Sequence, residues 1–181
     1  MLGIPEPLEI EKKFLVRMPD LNRLAELYNL NCSHIIQTYI KGSKPDTEYR
    51  VRKRGQQGSY TYYLTEKRKI SGLARVEVEK KISRSQYETH LRNAIPGWSP
   101  IEKTRFCFVA NDLSYELDIY PFSDGFAILE VEVATEEDST KVVVPEGIEM
   151  IADVTENARF KNSTLAKLPE MFNEYAKTFL S

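Results

Sequence analysis

The sequence is poor in the residues that build the commonest catalytic and metal sites. Its 181 residues include two cysteines and two histidines. Cys32 and Cys107 have no C-x-x-C spacing, and His34 and His90 are equally isolated. That gives little support to a zinc site held by thiolate or imidazole, to a Ser/His/Asp triad, or to a disulfide framework. No apolar run is long enough to cross a bilayer, and the N-terminus carries no signal-peptide pattern. Net charge is lacking too, since 25 basic residues face 27 acidic ones. A chain so neutral is a poor candidate for non-specific nucleic-acid binding, which draws on a broad basic surface. The expectation is a single cytoplasmic domain over residues 1–181, with no nucleic acid and no membrane as partner. A homodimer is left open.

What the chain does have is charge in an ordered pattern, with 29% of its residues charged. In Leu8-Glu9-Ile10-Glu11-Lys12-Lys13-Phe14, a strand's period of two puts Glu9, Glu11 and Lys13 on one face, opposite Ile10 and Phe14. Like carboxylates about 7 Å apart along a strand repel unless something sits between them. Six later segments carry comparable doublets opposite an apolar side: Arg50/Arg52, Lys67/Lys69, Glu77/Glu79, Lys103/Arg105, Glu116/Asp118 and Glu130/Glu132. An antiparallel sheet with one solvated face is one reading. Such faces usually mix neutral polar residues among the charges, whereas these doublets keep one sign within each strand. A closed sheet with its charges inward and its apolar outer face covered by helices accounts for the repetition better.

The intervening segments supply the helices and turns. Asp20 is placed to cap a helix carrying Leu21, Leu24, Leu27 and Tyr28, and Ser83 with Gln86 forms a capping box. Turns are expected at Gly58-Ser59, Ser71-Gly72, Asn111-Asp112 and Ser123-Asp124-Gly125. After Asn162-Ser163 comes an amphipathic run including Leu165, Leu168, Phe172 and Tyr175, which Pro169 should break. Arg54 and Lys81 are expected as surface charges at strand ends, Tyr62 and Tyr63 as packing residues, and Trp98 as a loop anchor.

An enclosed interior of this kind has a definable chemistry. Arginine and lysine clusters clamp phosphate oxygens, the first by a fork and the second as a point charge. Carboxylates with no histidine or cysteine nearby favour Mg²⁺ or Mn²⁺ over zinc. Together they describe a site for a polyanionic phosphate with bound metal.

Glu9-x-Glu11-x-Lys13 resembles the E-x-E-x-K signature of the CYTH superfamily, the triphosphate tunnel metalloenzymes. The resemblance continues in order through Tyr49-Arg50-Val51-Arg52, Thr65-Glu66-Lys67, Arg75-Val76-Glu77-Val78-Glu79, Lys103-Thr104-Arg105-Phe106, Glu116-Leu117-Asp118 and Leu129-Glu130-Val131-Glu132-Val133. It ends in Asp153-Val154-Thr155 and Phe160-Lys161-Asn162-Ser163. What the resemblance implies is an α+β fold: a closed eight-stranded antiparallel β-barrel with a charged interior, covered by several helices. It also implies hydrolysis of a linear triphosphate by Mg²⁺- or Mn²⁺-activated water, with tripolyphosphate as the first substrate to expect. Class IV adenylyl cyclase, thiamine or nucleoside triphosphatase, and a non-catalytic polyphosphate-binding module are the alternatives it leaves. By the same resemblance Glu9, Glu11, Asp118, Glu130 and Glu132 correspond to metal ligands, and Glu9, Glu11, Lys13 and Glu132 to the catalytic set. Lys13, Arg50, Arg52, Lys67, Lys103, Arg105 and, less directly, Lys161 correspond to phosphate-binding residues. Glu77, Glu79 and Glu116 fall inside the tunnel without a defined role.

Overall fold

The structure is a computed structural model that describes residues 8–71 and 74–180, the side chains of Leu8 and Glu9 excepted. The glycine of the expected Ser71-Gly72 turn and the carboxylate of Glu9 therefore lie outside the described residues. Each alternating segment is a strand: β1 (Leu8–Arg17), β2 (Asn31–Ile40), β3 (Thr47–Gln56), β4 (Ser59–Ser71), β5 (Ala74–Ile82), β6 (Ile101–Ala110), β7 (Leu113–Ile119) and β8 (Phe126–Val133). A ninth, β9 (Met150–Asp153), was not foreseen. It is four residues long and lacks an alternating charge pattern.

The strands pair antiparallel in the order β5-β4-β3-β2-β6-β7-β8-β1, and β1 returns to β5 to close the barrel. Among the described residues the closing seam is short. Leu8, Glu9 and Ile10 pair with Val76, Arg75 and Ala74, and further along the same edge of β1 Phe14, Leu15 and Val16 take β9 instead. On its other edge β1 pairs with β8 from Ile10 to Arg17. Directly opposed residues share a face, so the register carries each inward doublet round the barrel. Glu11 faces Glu132, Lys13 faces Glu130, Glu116 faces Glu130, Arg105 faces Asp118, and Lys67 faces Glu77.

Two apolar clusters lie on the outside, as the alternation requires. Phe14, Val16, Leu117, Leu129 and Val131 pack beneath Leu24 of α1 (Leu21–Leu27) and the stretch 142–148 that follows α3 (Glu136–Ser139). Ile40, Val51 and Ile82 pack beneath Tyr87 of α2 (Arg84–Leu91). Asp20 caps α1 and the Ser83/Gln86 capping box opens α2, so both helix starts follow from local sequence. Asn111 and Asp112 have φ of 51° and 60°, as a tight mirror-image hairpin turn requires. No helix among the described residues is long and apolar enough to cross a membrane.

A third cluster departs from the expectation that the helices cover only the outer face. The inward rows end in apolar residues: Leu15 on β1, Tyr39 on β2, Ile101 on β6, Tyr120 after β7, Phe126 and Ile128 on β8. Against them pack Phe160, Leu165, Ala166, Phe172 and Ala176. These come from a 3₁₀ turn (Ala158–Phe160), α4 (Asn162–Lys167) and α5 (Met171–Lys177), with the expected break at Pro169 between the helices. The C-terminal run therefore stops one end of the barrel, because the interior there offers the apolar surface it must bury. Phe160 and Phe172 are fully buried, each contributing about 2–3 kcal/mol by area.

Candidate functional site

A cavity of about 870 Å³ occupies the polar half of the barrel and runs out past the C-terminal stopper. Among the described residues its walls include Lys13, Arg50, Arg52, Lys67, Lys103 and Arg105, all the phosphate-binding candidates of the strands. Glu11, Glu130 and Glu132 line it on one side, Glu77 and Glu79 on the other, and Glu116 between β6 and β8. Lys161, with Asn162 and Ser163, stands at the mouth where α4 begins. Nearly every residue singled out by pattern is thus brought to one chamber.

The charges inside are paired. Arg50 donates to Glu77 at 3.2 Å, Lys67 lies 3.1 Å from Glu77, and Arg52 bonds Glu79, whose carboxylate also takes the Thr65 hydroxyl at 3.1 Å. Glu77 and Glu79 therefore counterbalance the basic wall. On the far wall, Lys13 lies 2.9 Å from Glu130 and 3.6 Å from Glu11. Arg105 forks onto Asp118 at 2.6 and 2.7 Å, reaches Glu130 at 3.1 Å and bonds Glu116.

Asp118 needs correction as a metal ligand. Its side chain is 0% exposed, both its oxygens are taken by Arg105 and one also by Lys103, and it does not border the cavity. It is the buried anchor that fixes Lys103 and Arg105 in the cavity wall. Arg54 also differs from expectation, because it lines the cavity instead of standing at the surface. Trp98 both packs against the apolar stopper and borders the cavity mouth, with Tyr39 edge-on at 5.4 Å. Lys81 is exposed as expected. Tyr62 packs on Tyr87, while Tyr63 lies 6.0 Å from the Arg52 guanidinium.

Several lining residues escaped sequence reasoning. Gln37 and Tyr39 come from β2, which carries no like-charge doublet to mark its inner face. The strand period already puts Arg54 on the face of Arg50/Arg52 and Arg75 on that of Glu77/Glu79, but it does not say that the cavity reaches them. Thr155 is positioned by β1 itself. Its hydroxyl takes the Lys13 amide at 3.1 Å and bonds Asp153, while Lys12 bonds Asp153 from outside.

Burial opposes every charge here, and the ion pairs outweigh it at some groups and not at others. Burial would raise the Glu130 carboxyl, but Lys13, Lys103 and Arg105 outweigh it and hold Glu130 well below the ordinary range. Asp118 is likewise lowered against burial by Arg105 and Lys103. Lys13 is raised against burial by Glu130 and Glu11. Lys103 goes the other way. Burial, with Arg105 beside it, brings its ammonium down to about 8 although Asp118 and Glu130 pull it upward. Arg52 is lowered by burial and by Arg50, and Glu116 is raised by burial against Arg105.

Could these residues hold a hard divalent cation? The described side chains do not converge as a cluster of three or more metal-ligating groups. They do place two carboxylates, Glu11 and Glu132, directly opposite each other on one face. Like charges so placed are destabilising without a counter-ion. Mg²⁺ commonly takes one or two carboxylates and completes its octahedron with water and phosphate oxygens. The donor set fits that habit. Glu130 is the less available oxygen donor, since Lys13 and Arg105 already occupy it.

No family model and no curated protein matches the chain. Solved structures do. The inorganic triphosphatase NE1496 is 28% identical with a TM-score of 0.57, covering 91% of this chain and 97% of that one. The PH1012 protein of Pyrococcus horikoshii is 21% identical with a TM-score of 0.56, over 78% of this chain and 94% of that one. A conserved hypothetical protein of Pyrococcus furiosus, also 21% identical, has a TM-score of 0.55 over 78% and 94%. The last two share the fold. The first shares it along almost its whole length.

Proposed function

We propose that this chain, a tunnel protein of the CYTH superfamily, hydrolyses a linear triphosphate with the help of Mg²⁺ or Mn²⁺. The observation that carries the reading is the opposition, inside one closed barrel, of the Arg50/Arg52/Lys67 wall to the Glu11/Glu132 wall. The similarity to an inorganic triphosphatase supports triphosphate hydrolysis as the reaction class, with inorganic tripolyphosphate the first substrate to test.

Glu11 and Glu132 would hold the cation, and Glu9 stays a candidate by the motif it shares with Glu11 and Lys13. When bound, the cation neutralises developing charge on the phosphate oxygens and lowers the pKa of the attacking water. The protein's own side chains do the positioning. Arg50, Arg52 and Lys67 exchange Glu77 and Glu79 for phosphate oxygens, so a polyanion enters a site whose donors are already oriented. Lys13, Lys103 and Arg105 hold the phosphoryl end near the Glu11/Glu132 carboxylates. Asp118 and Glu130 keep those three cations in place.

The test incubates the purified protein with tripolyphosphate, ATP or thiamine triphosphate and either metal, following phosphate, pyrophosphate and cyclic AMP. Phosphate release is expected from tripolyphosphate, falling roughly 10²-fold or more in Glu11→Ala and in Glu132→Ala. Cyclic AMP with pyrophosphate would reassign the chain as a cyclase. Binding without turnover of any substrate would sink the enzyme reading.

A further inference from the structure

We propose that the cavity carries a phosphate subsite beyond the triphosphate track, built on Arg54 and positioned by Ser33, which takes linear polyphosphates of more than three phosphoryl groups. This deepens the reading above and rests on its polyanion-binding half.

Arg50, Arg52 and Arg54 lie on one face of β3, opposed to Thr65, Tyr63 and Thr61 of β4. All three line the same cavity. Successive members are two residues, or about 7 Å, apart along the strand. One phosphoanhydride link advances a phosphate chain by about as much as one strand residue, roughly 3 Å. The two links of a triphosphate therefore match the step from Arg50 to Arg52. Arg54 continues the row by two further links, the length of a pentaphosphate.

The partners of Arg54 set it apart from its neighbours. Arg50 bonds Glu77 and Arg52 bonds Glu79. Among the described residues Arg54 meets no carboxylate. Its Nε donates to Ser33 Oγ at 3.1 Å and its Nη2 to Cys107 Sγ at 3.3 Å, both neutral acceptors. The guanidinium is held in place but keeps its full charge, and phosphate is the anion whose oxygens suit that fork. Ser33 is nine-tenths buried, and among the described residues its hydroxyl accepts from Arg54 without donating onward. Ser33 does not border the cavity, so it sets the guanidinium in place and leaves the phosphate contact to Arg54. An anion arriving at Arg50 or Arg52 must displace a carboxylate, whereas one arriving at Arg54 displaces none.

The experiment is a chain-length series with the full protein, using tri-, tetra- and pentapolyphosphate at fixed free Mg²⁺. Wild type is expected to bind pentapolyphosphate tighter than tripolyphosphate, read by calorimetry, and to show the higher kcat/KM on it. Arg54→Gln should lower the penta-to-tri ratio of both quantities about tenfold, the worth of one charge-assisted hydrogen bond. Arg54→Lys should restore part of that ratio, and Ser33→Ala should lower it less. A ratio unchanged in Arg54→Gln, or no length preference in wild type, would overturn the subsite. The wild-type series and Arg54→Lys decide the matter if Arg54→Gln fails to fold. Calorimetry separates the two readings. Length-dependent, Arg54-dependent binding without turnover leaves this subsite standing while the hydrolase reading falls. Turnover of tripolyphosphate without length dependence does the reverse.

Discussion

At the scale of single residues, the interior holds charge by pairing it, and the pairs differ in what they do with a proton. Lys103 is 1% exposed, and its ammonium is brought down to about 8 by burial and by Arg105. Between about 8 and the ordinary lysine value of 10.5 the unfolded chain binds more protons, so this group makes stability rise with pH across that window. Phosphate binding has the opposite slope, because it needs the charged form. kcat/KM for tripolyphosphate is expected to decline as pH rises through about 8, and Lys103→Met to flatten that limb at a lower plateau. A limb that persists in the variant would assign it to another group. Asp118 behaves in the reverse sense. Its folded pKa lies below 3.8, so its contribution is present above that value and is lost as pH falls through the folded one. Asp118→Asn leaves Arg105 and Lys103 buried with one formal charge fewer between them. It should cost about 3–5 kcal/mol, read as a lower urea midpoint.

Among the elements, the segment leading into the C-terminal stopper is hydrogen-bonded to β1 at Lys12 and Lys13, beside the packing of Leu15 on the stopper. Thr155 accepts the Lys13 amide, Val154 donates to the Lys13 carbonyl at 2.9 Å, and Lys12 bonds Asp153. The strand that carries Glu11 and Lys13 is thus held by the segment leading into α4. Phe172→Ala, at a fully buried site in the stopper, should destabilise the fold by about 3–5 kcal/mol and lower the melting temperature. Thr155→Val, which leaves the Lys13 amide without its acceptor, should cost about 1–3 kcal/mol. Thr155→Ser should recover most of it, and equal losses in both would show that the methyl group matters instead. The stopper was half legible. Pro169 and the apolar spacing of Leu165, Leu168, Phe172 and Tyr175 pointed to one amphipathic run with a break, which the structure shows as α4 and α5. Their destination was not legible, because an amphipathic stripe records that it must be buried and not against what. β9 escaped for a different reason. Its four residues form a strand because β5 leaves that part of the β1 edge open, and the propensity of Met150–Asp153 does not require it.

Across the whole molecule, the two edges of β1 are paired to different extents. Among the described residues β1 makes eight register pairs with β8 and three with β5, so the described part of the β1–β5 seam is the shorter joint. A polyanion held by Lys13 on β1 and by Arg50 and Lys67 on β3 and β4 would bridge that joint. Hydrogen exchange is expected to be faster at residues 74–76 than at 127–131 in the free protein. With tripolyphosphate and Mg²⁺ it should slow most at the seam. At a hundredfold excess over Kd, binding to the folded state alone adds about 2.7 kcal/mol of stability. A uniform slowing would place the ligand's effect elsewhere.

Taken by itself, the sequence determined which residues face inward, because a strand's period of two is a local property and Arg50/Arg52, Lys103/Arg105 and Glu130/Glu132 display it plainly. It also determined the helix starts at Asp20 and Ser83, where one side chain satisfies its own nearby amides. Only the tertiary structure decided how the inward residues divide the work. Asp118 and Glu116 are two residues apart and alike on paper, yet burial and Arg105 turn the first into an anchor and leave the second on the cavity wall. Arg54 shares the face of Arg50 and Arg52 by the strand period alone, but it read as a strand-end surface charge until the fold put it on the wall of the same cavity. Charge is written in the chain, but its partners, and therefore its pKa and its availability to a ligand, depend on which strands the barrel brings side by side.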